Sequence, residues 1–149
     1  MQGNKVKYTI KAASEDEIYL HLLECNNNFK PPLSEKVKVD EYSKKIFNKA
    51  LSFEAWNNTI LSGLLAVYFD DINKFAFITN VSVLKNSISC GIASQLMKMC
   101  IEYASNALIK EIKLEVNQKN IQAIGLYRKF NFRFTETNGE EYIMKLAIV

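Results

Sequence analysis

Two stretches of the chain combine residue types and spacings suited to handling a charged ligand. In "NQKNIQAIGLYRKFNF", Asn120, Ala123, Tyr127 and Phe130 recur at steps of three and four residues, which puts Asn120 and Tyr127 two turns apart on one helix face. An amide and a phenol can then point into one cleft. In the other stretch, a strand ending at Leu84 passes through the polar loop "KNSISC" into a helix opening with Gly91, Ile92, Ala93 and Ser94. The first turn of a helix carries amide N–H groups without intrahelical partners, and the helix dipole adds partial positive charge, so this is an anion site. Small residues there let a pyrophosphate approach the backbone. Each signal has a plainer reading, with Tyr127 a packed aromatic and Gly91 a glycine that allows close packing at a helix start.

Four other residues have the right chemistry for a catalyst. His21, the one histidine, lies on an apolar stripe and reads as a core residue before it reads as a base. Cys90 precedes a helix N-terminus, where a thiolate is stabilised, so an acyl-enzyme route is conceivable, but no base stands near it in sequence. Glu54 and Glu115 are candidate general bases, directly or through water, although carboxylates on strands usually face solvent. The base is therefore unassigned.

The elements that must position these groups follow from hydrophobic periodicity. A strand from about Val6 to Ala12 precedes "SEDE", where Ser14 and Glu17 form a capping box that opens a helix. In that helix Ile18, His21, Leu22 and Cys25 share the buried stripe. Asn26 to Asn28 and Pro31-Pro32 break it. A second helix begins near Asp40, its expected N-cap, with Tyr42, Ile46, Phe47 and Ala50 on one side. From Ser52 to Leu84, "SFEAW", "TILSGLLAVYF" and "KFAFITNVSVL" read as an antiparallel meander, its last two strands apolar enough for the centre of a sheet. A third helix starts at about Gly91, with Ile92, Leu96, Met99, Cys100 and Tyr103 facing inward and Gln95, Lys98 and Glu102 outward. "IKLEV" is a strand, "NIQAIGLYRKF" a fourth helix, and "FRFTE" with "EYIMKLAIV" a closing hairpin around Asn138-Gly139. The order β, α, α, β, β, β, α, β, α, β, β predicts one α/β (α+β) core on a mixed sheet.

Composition restricts the function further. The 149 residues suit a single domain over 1–149. A hydrophobic content of 48% with 23% charged residues is that of a soluble globular protein. Neither a signal-peptide core nor the roughly 18 apolar residues of a membrane span is present, which predicts a cytoplasmic location and no membrane partner. Cys25, Cys90 and Cys100, without CxxC spacing, predict reduced thiols, with neither disulfide framework nor metal site. A net charge of +3 from 19 basic and 16 acidic residues is too mild and too mixed for a nucleic-acid surface.

With these residues in view, the chain resembles the GNAT superfamily of acetyl-CoA-dependent N-acetyltransferases. The family's signature N-x-x-A-x-x-L-Y-x-K-x-G-F is matched by Asn120, Ala123, Leu126, Tyr127, Lys129 and Phe132, with Asn131 where glycine is usual; asparagine tolerates the left-handed conformation. Its Q/R-x-x-G-x-G/A signature falls on Ile88, Ser89, Cys90, Gly91, Ile92 and Ala93, with Ile88 replacing the polar first residue. The resemblance implies about seven strands, mostly antiparallel, and about four helices. It also implies central strands that splay, Phe75 to Leu84 parting from Lys113 to Asn117, to make a slot for a pantetheine arm. Main-chain groups of Val81 and Val83 would pair with the arm. Amides of Ser89, Gly91, Ala93 and Ser94, around Ile92, would hold the pyrophosphate. Asn120 would bond the cofactor, and Tyr127 would face the thioester sulfur as catalytic acid. A neutral primary amine would attack directly, with the Val81 N–H polarising the carbonyl.

The implied acceptor is a small-molecule amine. The loop "NNNFKPPLSEKVKV" mixes aromatic, amide and lysine groups and lacks an acidic cluster, which favours an amino sugar, with an attached phosphate attracted by Lys30, Lys36 and Lys38, over a polyamine. Two alternatives stand beside it: a non-catalytic acyl-CoA-binding module, suggested by Ile88, and a protein N-acetyltransferase. A homodimer is compatible with all three.

Overall fold

The computed structural model describes residues 5–88 and 90–148. These form β1 (Val6–Ile10), α1 (Glu15–Cys25), α2 (Val39–Lys49), β2 (Leu51–Asn57), β3 (Ile60–Asp70) and β4 (Phe75–Val83). There follow α3 (Ile92–Asn106), β5 (Glu111–Asn117), α4 (Ile121–Lys129), β6 (Arg133–Asn138) and β7 (Glu141–Ala147). The element order is the one the periodicity predicts.

Within the described residues the strands make one seven-stranded sheet in the order β1-β2-β3-β4-β5-β7-β6. Each pairing is antiparallel except β4 with β5. That parallel pair needs a crossover, which α3 supplies. Side chains alternate across β3, so the strand feeds two cores. Leu64 and Ala66 pack with Ile18 and Leu22 of α1 and Ile46 of α2. Leu65 and Val67 pack with Leu96, Met97 and Cys100 of α3 and with Ile124 and Tyr127 of α4. Burial of both faces explains the continuous apolar run of β3.

The capping box forms as expected: the Glu17 N–H donates to Ser14 Oγ at 3.1 Å, and the Ser14 N–H donates to Glu17 Oε1 at 2.9 Å. Four expectations need correction. β1 stops at Ile10 rather than Ala12, because Lys11 turns the chain at φ +55 and the Ala12 and Ala13 N–H groups leave the ladder to bond Glu54. The N-cap of α2 is Lys38 and not Asp40. Val39 is buried, so the helix starts early enough to put it in the core, and Asp40 falls in the first turn, where its charge still suits the dipole. On α2, Phe47 is 38% exposed, and Ser43 takes the buried position while its hydroxyl donates to the Val39 carbonyl at 2.7 Å. On α3 the buried stripe runs through Met97 and Ala104, with Tyr103 at the margin against Phe53 and Phe69. Among the described residues, no helix is long and apolar enough to cross a membrane.

Candidate active site

The site begins where β4 and β5 stop pairing. Their parallel register runs from Phe75 opposite Glu111 to Ile78 opposite Leu114 and ends there. On the other side of β4 the register jumps from Val67–Ile78 to Ala66–Asn80, which makes Thr79 the extra residue of a β-bulge. A bulge bends and twists its strand, and here it swings the rest of β4 away from β5. The two strands splay as the sequence reading expects.

A cavity of about 390 Å³ opens along the split. Val81 and Val83 form one wall, Gly91 to Ser94 another, and Asn120 and Tyr127 a third. Every expected cofactor-binding residue is thus gathered here except Ser89, which lies outside the described residues. Gly91 is the N-cap of α3 at φ +77, a left-handed conformation that favours glycine. The helix start is seated by Gly63, where a Cβ would come within 2.5 Å of Ile92 Cγ2. Sequence reasoning passed over Gly63, because the contact that requires a glycine joins distant elements. Ile88 is 44% exposed and brings hydrocarbon to the cavity where the family signature has a polar side chain. Exposed Lys129 of α4 reaches the helix start, where its Nζ donates to Ser94 Oγ at 3.5 Å.

Asn120 is the N-cap of α4 rather than a residue of its face. Its Oδ1 accepts from the Ala123 N–H at 3.3 Å, which leaves the amide NH₂ for a ligand. Tyr127 is buried with its ring against Phe132 at 5.9 Å, and no hydrogen bond to its hydroxyl occurs among the described residues. Burial pushes its phenol above the ordinary range, so the hydroxyl keeps its proton.

A second cavity, of about 120 Å³, lies between the α1–α2 loop and the β5–β7 end of the sheet. It shares Phe29, Val81, Asn120 and Tyr127 with the first, so Tyr127 stands at their junction. Lys30 and Lys36 line it from the loop, and Glu115 and Glu141 from the sheet. The loop brings no acidic cluster, as expected, but the sheet supplies two carboxylates, because β7 pairs Glu141 with Asn117, two residues from Glu115 on the same face of β5. Lys36 Nζ lies 3.5 Å from Glu141 Oε1, so this loop lysine is already paired.

The remaining candidates separate. Glu54 is fully buried, and four donors converge on its carboxylate: Thr9 Oγ1 at 2.6 Å, the Ala12 and Ala13 N–H groups at 2.8 Å, and Ser52 Oγ at 2.9 Å. It clamps the β1–α1 connection to β2 instead of facing solvent or a substrate. His21 is buried; its Nδ1–H donates to the Leu61 carbonyl at 2.8 Å, and Nε2 meets Ser82 Oγ at 2.9 Å. Desolvation lowers its pKa to about 4, so it is a neutral core histidine. Cys25 and Cys100 are buried free thiols raised to about 12 by burial, whereas Cys90 is exposed and lines neither cavity.

A parallel strand pair thus parts beside a helix N-terminus, with a phenol where the two cavities meet, which is the arrangement the resemblance to the GNAT superfamily implies. The Escherichia coli ribosomal-protein-S18-alanine N-acetyltransferase superposes with a TM-score of 0.75 at 20% identity over 95% of this chain and 94% of that one. Arabidopsis thaliana NAA60, solved with a bisubstrate analogue, gives 0.78 at 17% over 97% and 98%. A Bacillus subtilis acetyltransferase solved with CoA gives 0.73 at 20% over 97% and 100%. Among curated proteins, none matches the sequence. The profile of the Acetyltransferase (GNAT) family matches residues 15–132, so the chain belongs to that family and is an acyltransferase.

Proposed function

We propose that the chain, acting as one domain over residues 1–149, transfers an acetyl group from acetyl-CoA to a primary amine of a small-molecule acceptor by direct attack. The observation that carries this reading is the meeting of the two cavities at Val81, Asn120 and Tyr127, a long slot for a cofactor arm on one side and a small polar chamber on the other. The residues present fit the cofactor. The β4 edge beyond Ile78 has no β5 partner and can accept an extended polar arm, and the start of α3 can accept phosphate. Acetyl-CoA supplies an activated acetyl carbonyl and a thiolate leaving group.

In this reading main-chain groups of Val81 and Val83 bind the pantetheine arm. The amides from Gly91 to Ser94, and of Ser89 before them, hold the pyrophosphate. The NH₂ of Asn120 bonds the arm, and the Val81 N–H polarises the acetyl carbonyl. As the new N–C bond forms and the C–S bond breaks, Tyr127 donates a hydrogen bond to the sulfur. Its raised pKa favours that donation over full proton transfer. Glu115, facing the acceptor chamber, takes the proton that the amine loses, through water.

Two observations favour a small acceptor. The chamber is about a third the volume of the cofactor cavity, and the Lys36–Glu141 ion pair ties the α1–α2 loop to β7 beside it. Aromatic Phe29 and the amides of Asn80 and Asn117 suit an amino sugar. The competing reading, acetylation of a protein N-terminus, draws on the likeness to the S18-alanine enzyme. Mass spectrometry after incubation with acetyl-CoA and an equimolar panel of amino sugars, amino acids, polyamines and peptides decides between them. Acetylated amino sugars or amino acids are expected. Products confined to peptides would replace the small-molecule acceptor with a protein one.

A further inference from the structure

The acceptor chamber holds charges of both signs, and they do not all cancel. Lys36 and Glu141 neutralise one another at 3.5 Å. Lys30 and Glu115 have no ion-pair partner among the described residues, and they approach from different walls, Lys30 on the loop beyond α1 and Glu115 on β5. A simple monoamine arrives as an ammonium ion that pairs with Glu115 and leaves Lys30 without a counterpart, and a diamine would place a second cation beside Lys30. Orientation follows from the junction. The reacting nitrogen must reach Val81 and Tyr127, where Glu115's strand parts from β4. The opposite pole of the ligand then lies toward the loop.

We propose that the acceptor is amphoteric, a small molecule with a primary amine that enters beside Glu115 and an anionic group, carboxylate or phosphate, that Lys30 holds. This rests on the acetyltransferase reading and narrows its substrate class. Complementary charge at both poles orients the amine toward Tyr127 and disfavours cations of similar size, which specificity by charge does well even where raw affinity gains little.

The test uses matched pairs: an amino acid against its carboxamide, glucosamine 6-phosphate against glucosamine, and a diamine of comparable length. Two readouts are taken, kcat/KM for transfer and calorimetric binding to protein saturated with unreactive CoA. The anionic member of at least one pair should be favoured by about fivefold or more at low salt, as expected for a partly exposed ion pair. The pair that shows the gap identifies the anion. Lys30→Ala should remove the gap in both readouts, and Lys30→Glu should turn preference toward the diamine. Equal handling of both members by the wild type, or a gap unchanged in Lys30→Ala, overturns the amphoteric class and leaves acetyl transfer standing. Failure of the protein to bind CoA in the calorimetric control overturns the acetyltransferase reading itself, and this inference with it.

Discussion

Tyr42 donates its phenolic hydrogen to the main-chain carbonyl of Thr79 across 2.8 Å, at the residue where β4 bulges and leaves β5. The Thr79 hydroxyl lies at the same distance from the phenol. A helix side chain thus satisfies backbone polarity exactly where the ladder gives it up, and α2 braces the split that forms the site. Burial raises the Tyr42 pKa to about 12, so the donor is present at any working pH. Tyr42→Phe should cost about 1 kcal/mol, read as a lower urea midpoint at unchanged slope. It should also weaken acetyl-CoA binding several-fold, because the bulge loses its brace. Unchanged affinity would show that the bulge holds its geometry alone.

Glu54 should be a stability residue and not a catalytic one. Glu54→Gln turns one acceptor oxygen into a donor, so the buried Ala12 or Ala13 N–H loses its acceptor, the Thr9 or Ser52 hydroxyl must reverse, and the charge that strengthened all four bonds is gone. The expected cost is about 2–4 kcal/mol. Protein that remains folded, assayed at low temperature and low denaturant, should keep wild-type kcat. Wild-type stability with a collapsed rate would instead restore Glu54 as a base.

His21 makes acid stability a directly measurable quantity. Its folded pKa of about 4 lies below the ordinary value of 6.5, so the unfolded chain takes up the proton first. Stability from this group is complete above about pH 6.5 and is lost as pH falls toward 4, by about 3 kcal/mol across the window. Because the chain has one histidine, its imidazole NMR signal is unambiguous. A titration midpoint near 6.5 in the folded protein would contradict the buried, doubly bonded ring.

Tyr127→Phe should lower kcat by about 10²–10³-fold, the loss expected for one donor to developing negative charge, with acetyl-CoA affinity kept, since the hydroxyl is needed as thiolate charge develops and not in the ground state. Single-turnover kinetics isolates the chemical step. A chemical rate equal to wild type would return Tyr127 to the core it packs in.

What was legible in the sequence was local. The Ser14–Glu17 box, the order of elements and the Gly91 helix start depend on residues a few positions apart. Asn131 in the glycine position does adopt the left-handed conformation, at φ +72. What was not legible depends on register. Glu54 meets Ala12 and Ala13 across 41–42 positions of sequence because β1 and β2 pair, and nothing near Glu54 announces those donors. Glu141 reaches the acceptor chamber only because β7 returns beside β5. The spacing of Asn120 puts it on a helix face, whereas backbone amides at the helix start make it the cap. Ile46 and Phe47 looked alike as apolar neighbours on α2, and packing against the sheet decided that only Ile46 is buried.

The central claim is that the split between β4 and β5 is an acetyl-CoA site, and calorimetric titration of acetyl-CoA into the protein tests it most directly. Only the folded chain presents the slot, so binding must also raise the melting temperature. The account predicts one-to-one binding with a thermal shift that grows with ligand concentration, both diminished in Gly63→Ala, where the new Cβ would push Ile92 and the α3 N-terminus away. No heat and no shift at millimolar acetyl-CoA would contradict it.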